Sequence, residues 1–232
     1  MKLLLTSLGL TNDSIRKALV DLLGKPIEVS KAVFIPTAMY AMPGASGLVW
    51  EVLKEQGEVG WQELGVLELT ALPSILQEHW LPALEAADVI IVGGGNTPYL
   101  SYWMQASGLD KKLPELLKNT VYMGVSAGSM VMAHSIHINR EELETTGIYY
   151  DDEYHDIAPA NAGSDKTLKL VDFTLRPHLG ADYFPNITLD RMQKAAVNID
   201  VPMYVIDDQT ALKVTDSNVE VVSEGQWKLF EK

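Results

Sequence analysis

Val121-Tyr122-Met123-Gly124-Val125-Ser126-Ala127-Gly128-Ser129 is a short apolar run that breaks into Gly-x-Ser-x-Gly. Consecutive apolar residues suit a strand buried on both faces, and flanking glycines let neighbouring chain pass a sharp turn without a Cβ clash. A serine on such a strand-to-helix turn is a nucleophile elbow, with a strained backbone and a hydroxyl at a helix N-terminus. Unpaired N–H groups there, that of Ala127 included, can stabilise a developing oxyanion. Ser126 is therefore the expected nucleophile. The same five residues also serve as a plain tight turn, so the rest of the chain has to supply its partners.

Upstream, strand-like and helical patterns alternate. Leu3-Leu4-Leu5 reads as a buried strand. Ile15, Ala18, Leu19, Leu22 and Leu23 follow at helical spacing, with Thr11 or Asn12 as cap and Gly24 as stop. Ala32-Val33-Phe34-Ile35 is a second strand, Ser46 to Gln56 a helix, Trp61 to Leu69 a third strand, and Ile75 to Leu84 a helix despite Pro82. Val89-Ile90-Ile91-Val92 is another short β-branched run. The alternation predicts an α/β fold with an open, largely parallel sheet, whose ligands sit beyond the carboxyl ends of the strands. Downstream, Leu168 to Leu175 alternates like a strand and Thr188 to Val197 is helical. Tyr204–Ile206, Leu212–Val214 and Val219–Val222 read as short, antiparallel closing strands. The polar stretch from Glu141 to Lys166 reads as an extended surface loop bordering the site.

The whole of 1–232 is long enough, at 47% hydrophobic residues, to form one α/β domain. With 18 basic against 31 acidic side chains the formal charge is −13, which disfavours nucleic acid and anionic membrane surfaces. Cysteine is absent, so disulfides, thiolate-rich zinc sites and a cysteine nucleophile are excluded, and covalent chemistry must use oxygen. No metal or organic cofactor is expected. The apolar run at Leu3–Leu5 is too short for a signal segment or a membrane span, making a cytoplasmic location the default expectation. Monomer and homodimer both stay open.

A serine nucleophile needs a base. Among His79, His134, His137, His155 and His178, the last has the persuasive setting: Arg176-Pro177-His178 closes a strand, where proline ends pairing and frees the side chain at the sheet's rim. His134 and His137 are expected two or more turns along the elbow helix, away from Ser126. His79 reads as a helix-surface residue, and His155 as a loop candidate. Asp207 and Asp208, at another strand end, are alternative partners for the base. Gly93-Gly94-Gly95-Asn96-Thr97 ends the Val89 strand ahead of a helix, so its backbone N–H groups could complete an oxyanion hole or grip an anion. It matches neither a dinucleotide fingerprint nor a P-loop.

Together, Gly93–Thr97, Gly124–Ser129, Asp172-Phe173 with Arg176-Pro177-His178, and Asp207–Leu212 resemble the peptidase E family of serine peptidases, which includes aspartyl dipeptidases and the related cyanophycinases. The resemblance implies a three-layer sandwich similar to class I glutamine amidotransferases, with serine in place of cysteine. It implies Ser126 as nucleophile, His178 as base, an acidic third member at Asp208 with Asp207 as alternative, and an oxyanion hole from the N–H groups of Gly95 and Ala127. Gly94, Asn96, Thr97 and Arg176 are the expected substrate-binding residues. The expected substrate is a short peptide, with N-terminal aspartate as the preference the resemblance brings in. The chain departs from aspartyl dipeptidases where an arginine-bearing stretch follows the histidine: here Pro185–Arg191 stands instead, so Arg176 or Arg191 would have to read a carboxylate. The competing expectations are a cyanophycinase-like hydrolase and a non-catalytic anion- or peptide-binding module of the same fold.

Overall fold

A computed structural model describes residues 1–42, 44–136 and 166–232. The N-terminal part alternates as its apolar periodicity requires: β1 (Lys2–Thr6), α1 (Asp13–Leu23), β2 (Lys31–Ile35), α2 (Ala45–Glu58), β3 (Glu63–Val66), α3 (Leu81–Glu85) and β4 (Val89–Val92). It continues with α4 (Thr97–Ala106), α5 (Leu109–Leu116), β5 (Val121–Val125) and α6 (Ala127–Met130). Beyond it lie β6 (Thr174–Arg176), α7 (Leu189–Ala196), β7 (Met203–Ile206), β8 (Thr210–Thr215), β9 (Asn218–Ser223) and β10 (Trp227–Phe230).

Seven strands form one sheet in the order β3-β2-β4-β5-β1-β8-β9. The first five are parallel, and β8 and β9 extend the sheet as an antiparallel hairpin. A smaller sheet, β10-β7-β6, pairs β6 with β7 in parallel and β7 with β10 antiparallel. Alternation of side chains along each parallel strand feeds two cores. Leu3, Leu5, Val33, Ile35, Ile90, Val92 and Tyr122 point to one face, where they meet Leu84, Leu100, Met104, Leu109 and Leu113 of α3, α4 and α5. Leu4, Ala32, Phe34, Val89, Ile91 and Met123 point to the other, against Ile15, Ala18, Leu19 and Leu22 of α1 and Val49 of α2. Continuous apolar runs therefore belong to strands sandwiched between helical layers.

Several boundaries differ from the sequence expectation. The helix over 75–84 reduces to α3, because Pro82 lacks an N–H and fits a first turn rather than an interior. The strand expected over 168–175 is confined to Thr174–Arg176. Leu168 and Leu170 instead donate to the carbonyls of Val131 and Met132 at 2.8 and 3.0 Å. The same crossing ends the elbow helix early: α6 covers only Ala127–Met130, and His134 lies beyond it with its N–H on Phe173 O at 2.9 Å. His137, His155 and the loop expected at 141–166, Lys166 apart, lie outside the described residues. Among those described, no helix is long and apolar enough to cross a membrane.

The elbow is held by contact distance. A Cβ on Gly128 would lie 2.1 Å from the Val92 carbonyl oxygen, and one on Gly124 would lie 2.7 Å from the backbone of Gly128. Tyr122, fully buried, donates its hydroxyl to Gly128 O at 2.6 Å and pins the same turn from below. Gly128→Ala is expected to lower unfolding free energy by about 1–3 kcal/mol or more, the usual range for overpacking a close contact. Urea denaturation measures it, and an unchanged midpoint would contradict this packing account.

Candidate active site

The parallel strands β1, β4 and β5 end on one edge of the sheet, where Ser7, Gly93 and Ser126 follow them. Antiparallel β8 begins on that same edge: Ser7 N donates to Thr210 O, which brings Asp208 alongside Ser7. In the small sheet, β6 and β7 end together, with Leu179 N donating to Ile206 O at 3.0 Å, so His178 arrives there too. Residues distant in the chain thus converge because their strands finish at one place.

Ser126 has φ 49° and ψ −110°, a left-handed backbone that costs a non-glycine residue about 1–3 kcal/mol. Its N–H donates to Thr6 O at 3.1 Å, and Ser129 Oγ donates to that same oxygen at 2.8 Å, tying the turn to the end of β1. Ser126 Oγ lies 2.8 Å from His178 Nε2, and His178 Nδ1 lies 2.7 Å from Asp208 Oδ1. An ionised carboxylate only accepts, so Nδ1 carries the imidazole proton and Nε2 presents its lone pair to the serine hydroxyl. His178 is itself held at φ 65°, only 6% exposed, and stacked on Phe184 with ring centroids 4.9 Å apart.

Two further side chains grip the pair, and neither was legible as a site residue. Ser7, fully buried, donates its hydroxyl to Asp208 Oδ1 at 2.6 Å and accepts the backbone N–H of His178 at 2.9 Å. Tyr183 donates its hydroxyl to Asp208 Oδ2. Burial alone would push the Asp208 carboxyl up. Hydrogen bonds from His178, Ser7 and Tyr183 overcome it and bring the carboxyl from 3.8 down to about 2. Partial burial first, and then the Asp208 carboxylate, push the Tyr183 phenol up, so it stays a protonated donor. The only sequence signal for Ser7 was its position just past a strand that turned out to neighbour β5.

Asp208, not Asp207, reaches His178. Asp207 stays within its own turn, Oδ1 accepting from Gln209 N at 3.1 Å and Thr210 Oγ1 at 2.7 Å, with Oδ2 accepting from Gln226 N. Gly94 lies against the serine: a Cβ on it would come 3.2 Å from Ser126 Cβ. Gly95, at φ 132°, approaches so closely that a Cβ would meet Ala38 O at 2.3 Å, so only glycine fits. At the start of α6, the N–H groups of Ala127 and Gly128 precede the first intrahelical donors, Ser129 and Met130, which bond Ser126 O.

The expected substrate-binding set is divided by the structure. Gly94, Thr97 and Arg176 line a cavity of about 680 Å³ onto which Ser126 and His178 also open. Asn96 does not line it; fully buried, it caps α4 by accepting Tyr99 N at 2.8 Å. Arg176 is 2% exposed and donates to Ile136 O at 2.5 Å. Arg191 sits on α7 and donates to Asn186 Oδ1 at 2.5 Å, away from the cavity lining. His79 is exposed beside Glu78.

A serine on a strained strand-to-helix turn, hydrogen-bonded to an imidazole that is bonded in turn to a carboxylate, places this α/β protein in the class of serine hydrolases. The chain belongs to peptidase family S51, whose family model matches residues 3–222. It is a serine peptidase. A Nostoc sp. protein named peptidase E is 25% identical over 221 residues, covering 93% of this chain and 81% of that one. A Streptomyces coelicolor peptidase E is 27% identical over 158 residues, 66% of this chain and 59% of the relative. The crystal structure of a peptidase E protein from Listeria monocytogenes EGD-e superposes with a TM-score of 0.66 at 23% identity, over 97% of this chain and 98% of that one, and shows the same fold.

The depressed Asp208 carboxyl makes a pH prediction. A group whose folded value lies below its unfolded one stabilises the fold above the unfolded value, and loses that contribution as pH falls through the folded value. Asp208 therefore stabilises the protein fully above about pH 4 and progressively less towards about pH 2. In urea titrations across that interval, Asp208→Asn is expected to lose stability with a shallower slope than the parent. Parallel slopes would show that the carboxylate is not held as described.

Proposed function

We propose that the protein hydrolyses short peptides through an acyl-enzyme on Ser126, with His178 as general base and then general acid and Asp208 as the group that orients the imidazole. His178 Nε2 takes the hydroxyl proton as Ser126 Oγ attacks the peptide carbonyl carbon. The tetrahedral oxygen is stabilised by the N–H groups of Ala127 and Gly95, at the start of α6 and on the Gly93–Thr97 loop. His178 returns the proton to the departing amine nitrogen as the C–N bond breaks. Water, deprotonated by the same imidazole, then attacks the ester and releases the acid. The observation that carries this reading is the unbroken hydrogen-bond path from Ser126 Oγ through His178 to Asp208.

Short peptides are favoured because a cavity of about 680 Å³ is in the range of sites for small molecules rather than extended chains. An N-terminal aspartate preference, implied by the family resemblance, would need a cation beside the serine. The one cationic side chain among the described lining residues, Arg176, is engaged with Ile136 O. The proposed substrates are therefore short peptides of open side-chain preference.

With a dipeptide panel as substrate, Ser126→Ala is expected to lower kcat/KM by about 1,000-fold or more, and His178→Ala by a similar factor. Asp208→Asn is expected to cost about 10- to 100-fold less than either, since the imidazole stays beside Ser126 but its tautomer is no longer enforced by a carboxylate. Undiminished turnover by Ser126→Ala would assign the chemistry to another residue.

A further inference from the structure

The cavity beside Ser126 has walls that say which side chain it takes. Phe34 and Met39 form its floor beneath Gly93, where even a Cβ would lie 2.7 Å from Met39 Cε. Met42, Leu48 and Val52 form the wall contributed by α2 and the segment before it, and Leu8 closes the side next to β1. Leu8 and Leu48 are 49% and 36% exposed, so the apolar lining continues to the mouth. The acidic group on this wall is Glu55, exposed on α2, and Arg176 is buried and bonded to Ile136 O.

An aspartyl side chain entering here would trade water for thioether and leucine surface and meet the Glu55 carboxylate on the wall. A large apolar side chain would bury surface against a wall that adapts to it, because unbranched methionines repack around different shapes. We propose that the preferred substrates are short peptides carrying a large apolar residue, such as leucine, methionine or phenylalanine, beside the scissile bond. This deepens the proposed function and rests on Ser126 being the nucleophile that faces the cavity.

The test separates the two. Purified protein is treated with ethyl and octyl fluorophosphonates, and the rate of modification at Ser126 is followed by mass spectrometry. In parallel, kcat/KM is measured on Leu-, Phe-, Ala- and Asp-initiated and -terminated dipeptides. The octyl reagent is expected to label about 10-fold faster or more than the ethyl one, and the apolar peptides to exceed their alanine counterparts about 10- to 100-fold. Leu48→Glu, at the cavity mouth, is expected to bring the octyl-to-ethyl ratio down towards one. Labelling at Ser126 with equal rates, or a preference for aspartyl peptides, overturns the apolar specificity and leaves the peptidase mechanism standing. No modification of Ser126 by either reagent overturns the nucleophile, and the specificity proposal with it.

Discussion

The site depends on one close approach: α6 packs onto the ends of β4 and β5 so tightly that neither Gly124 nor Gly128 has room for a Cβ. That approach is what forces Ser126 into a left-handed backbone and aims its hydroxyl off the edge of the sheet. Strain of this kind persists only where surrounding structure over-determines it. Here the restraints are the Tyr122 hydroxyl on Gly128 O and the bonds that Ser126 and Ser129 make to Thr6 O. The buried apolar strands beneath supply the rigidity that holds the turn.

A second constraint acts on the partner groups. His178 also carries positive φ, and its position is fixed by Ser7 below, Phe184 against the ring face and Asp208 on Nδ1. Ser7 contacts both the backbone of the histidine and the carboxylate, so one buried hydroxyl sets the distance between two chain segments. The carboxylate is thereby kept ionised in a partly buried site, which keeps the imidazole in the tautomer that can accept a proton from Ser126. Positioning comes from the scaffold before any substrate arrives.

Much of this was readable in the sequence because it follows from local rules. Apolar runs such as Leu3–Leu5 and Val89–Val92 mark strands covered on both faces, and Gly-x-Ser-x-Gly after such a run locates the turn. His178 could be picked from five histidines because Pro177 ends a strand just before it. What escaped was non-local. Asp207 and Asp208 are neighbours with the same chemistry, and only the turn around Gly225, where Asp207 fills the space a Cβ would need, decides which one faces the imidazole. Ser7 and Tyr183 join through strand order and loop path, which no spacing encodes. The elbow helix was overextended because the 166–171 segment takes the carbonyls of Val131 and Met132 that would otherwise face only helix or solvent. Asn96 looked like a ligand-binding residue, yet its oxygen caps α4.

The central claim is that Ser126 becomes covalently acylated, and it is tested most directly by trapping the intermediate. The protein is mixed with p-nitrophenyl acetate, quenched in acid within the first turnovers, digested and mapped by mass spectrometry. The account predicts an acetyl group on the peptide that contains Ser126, formed with a burst of p-nitrophenol and absent in His178→Ala. Turnover with no adduct, or an adduct on another residue while Ser126 stays unmodified, would contradict it.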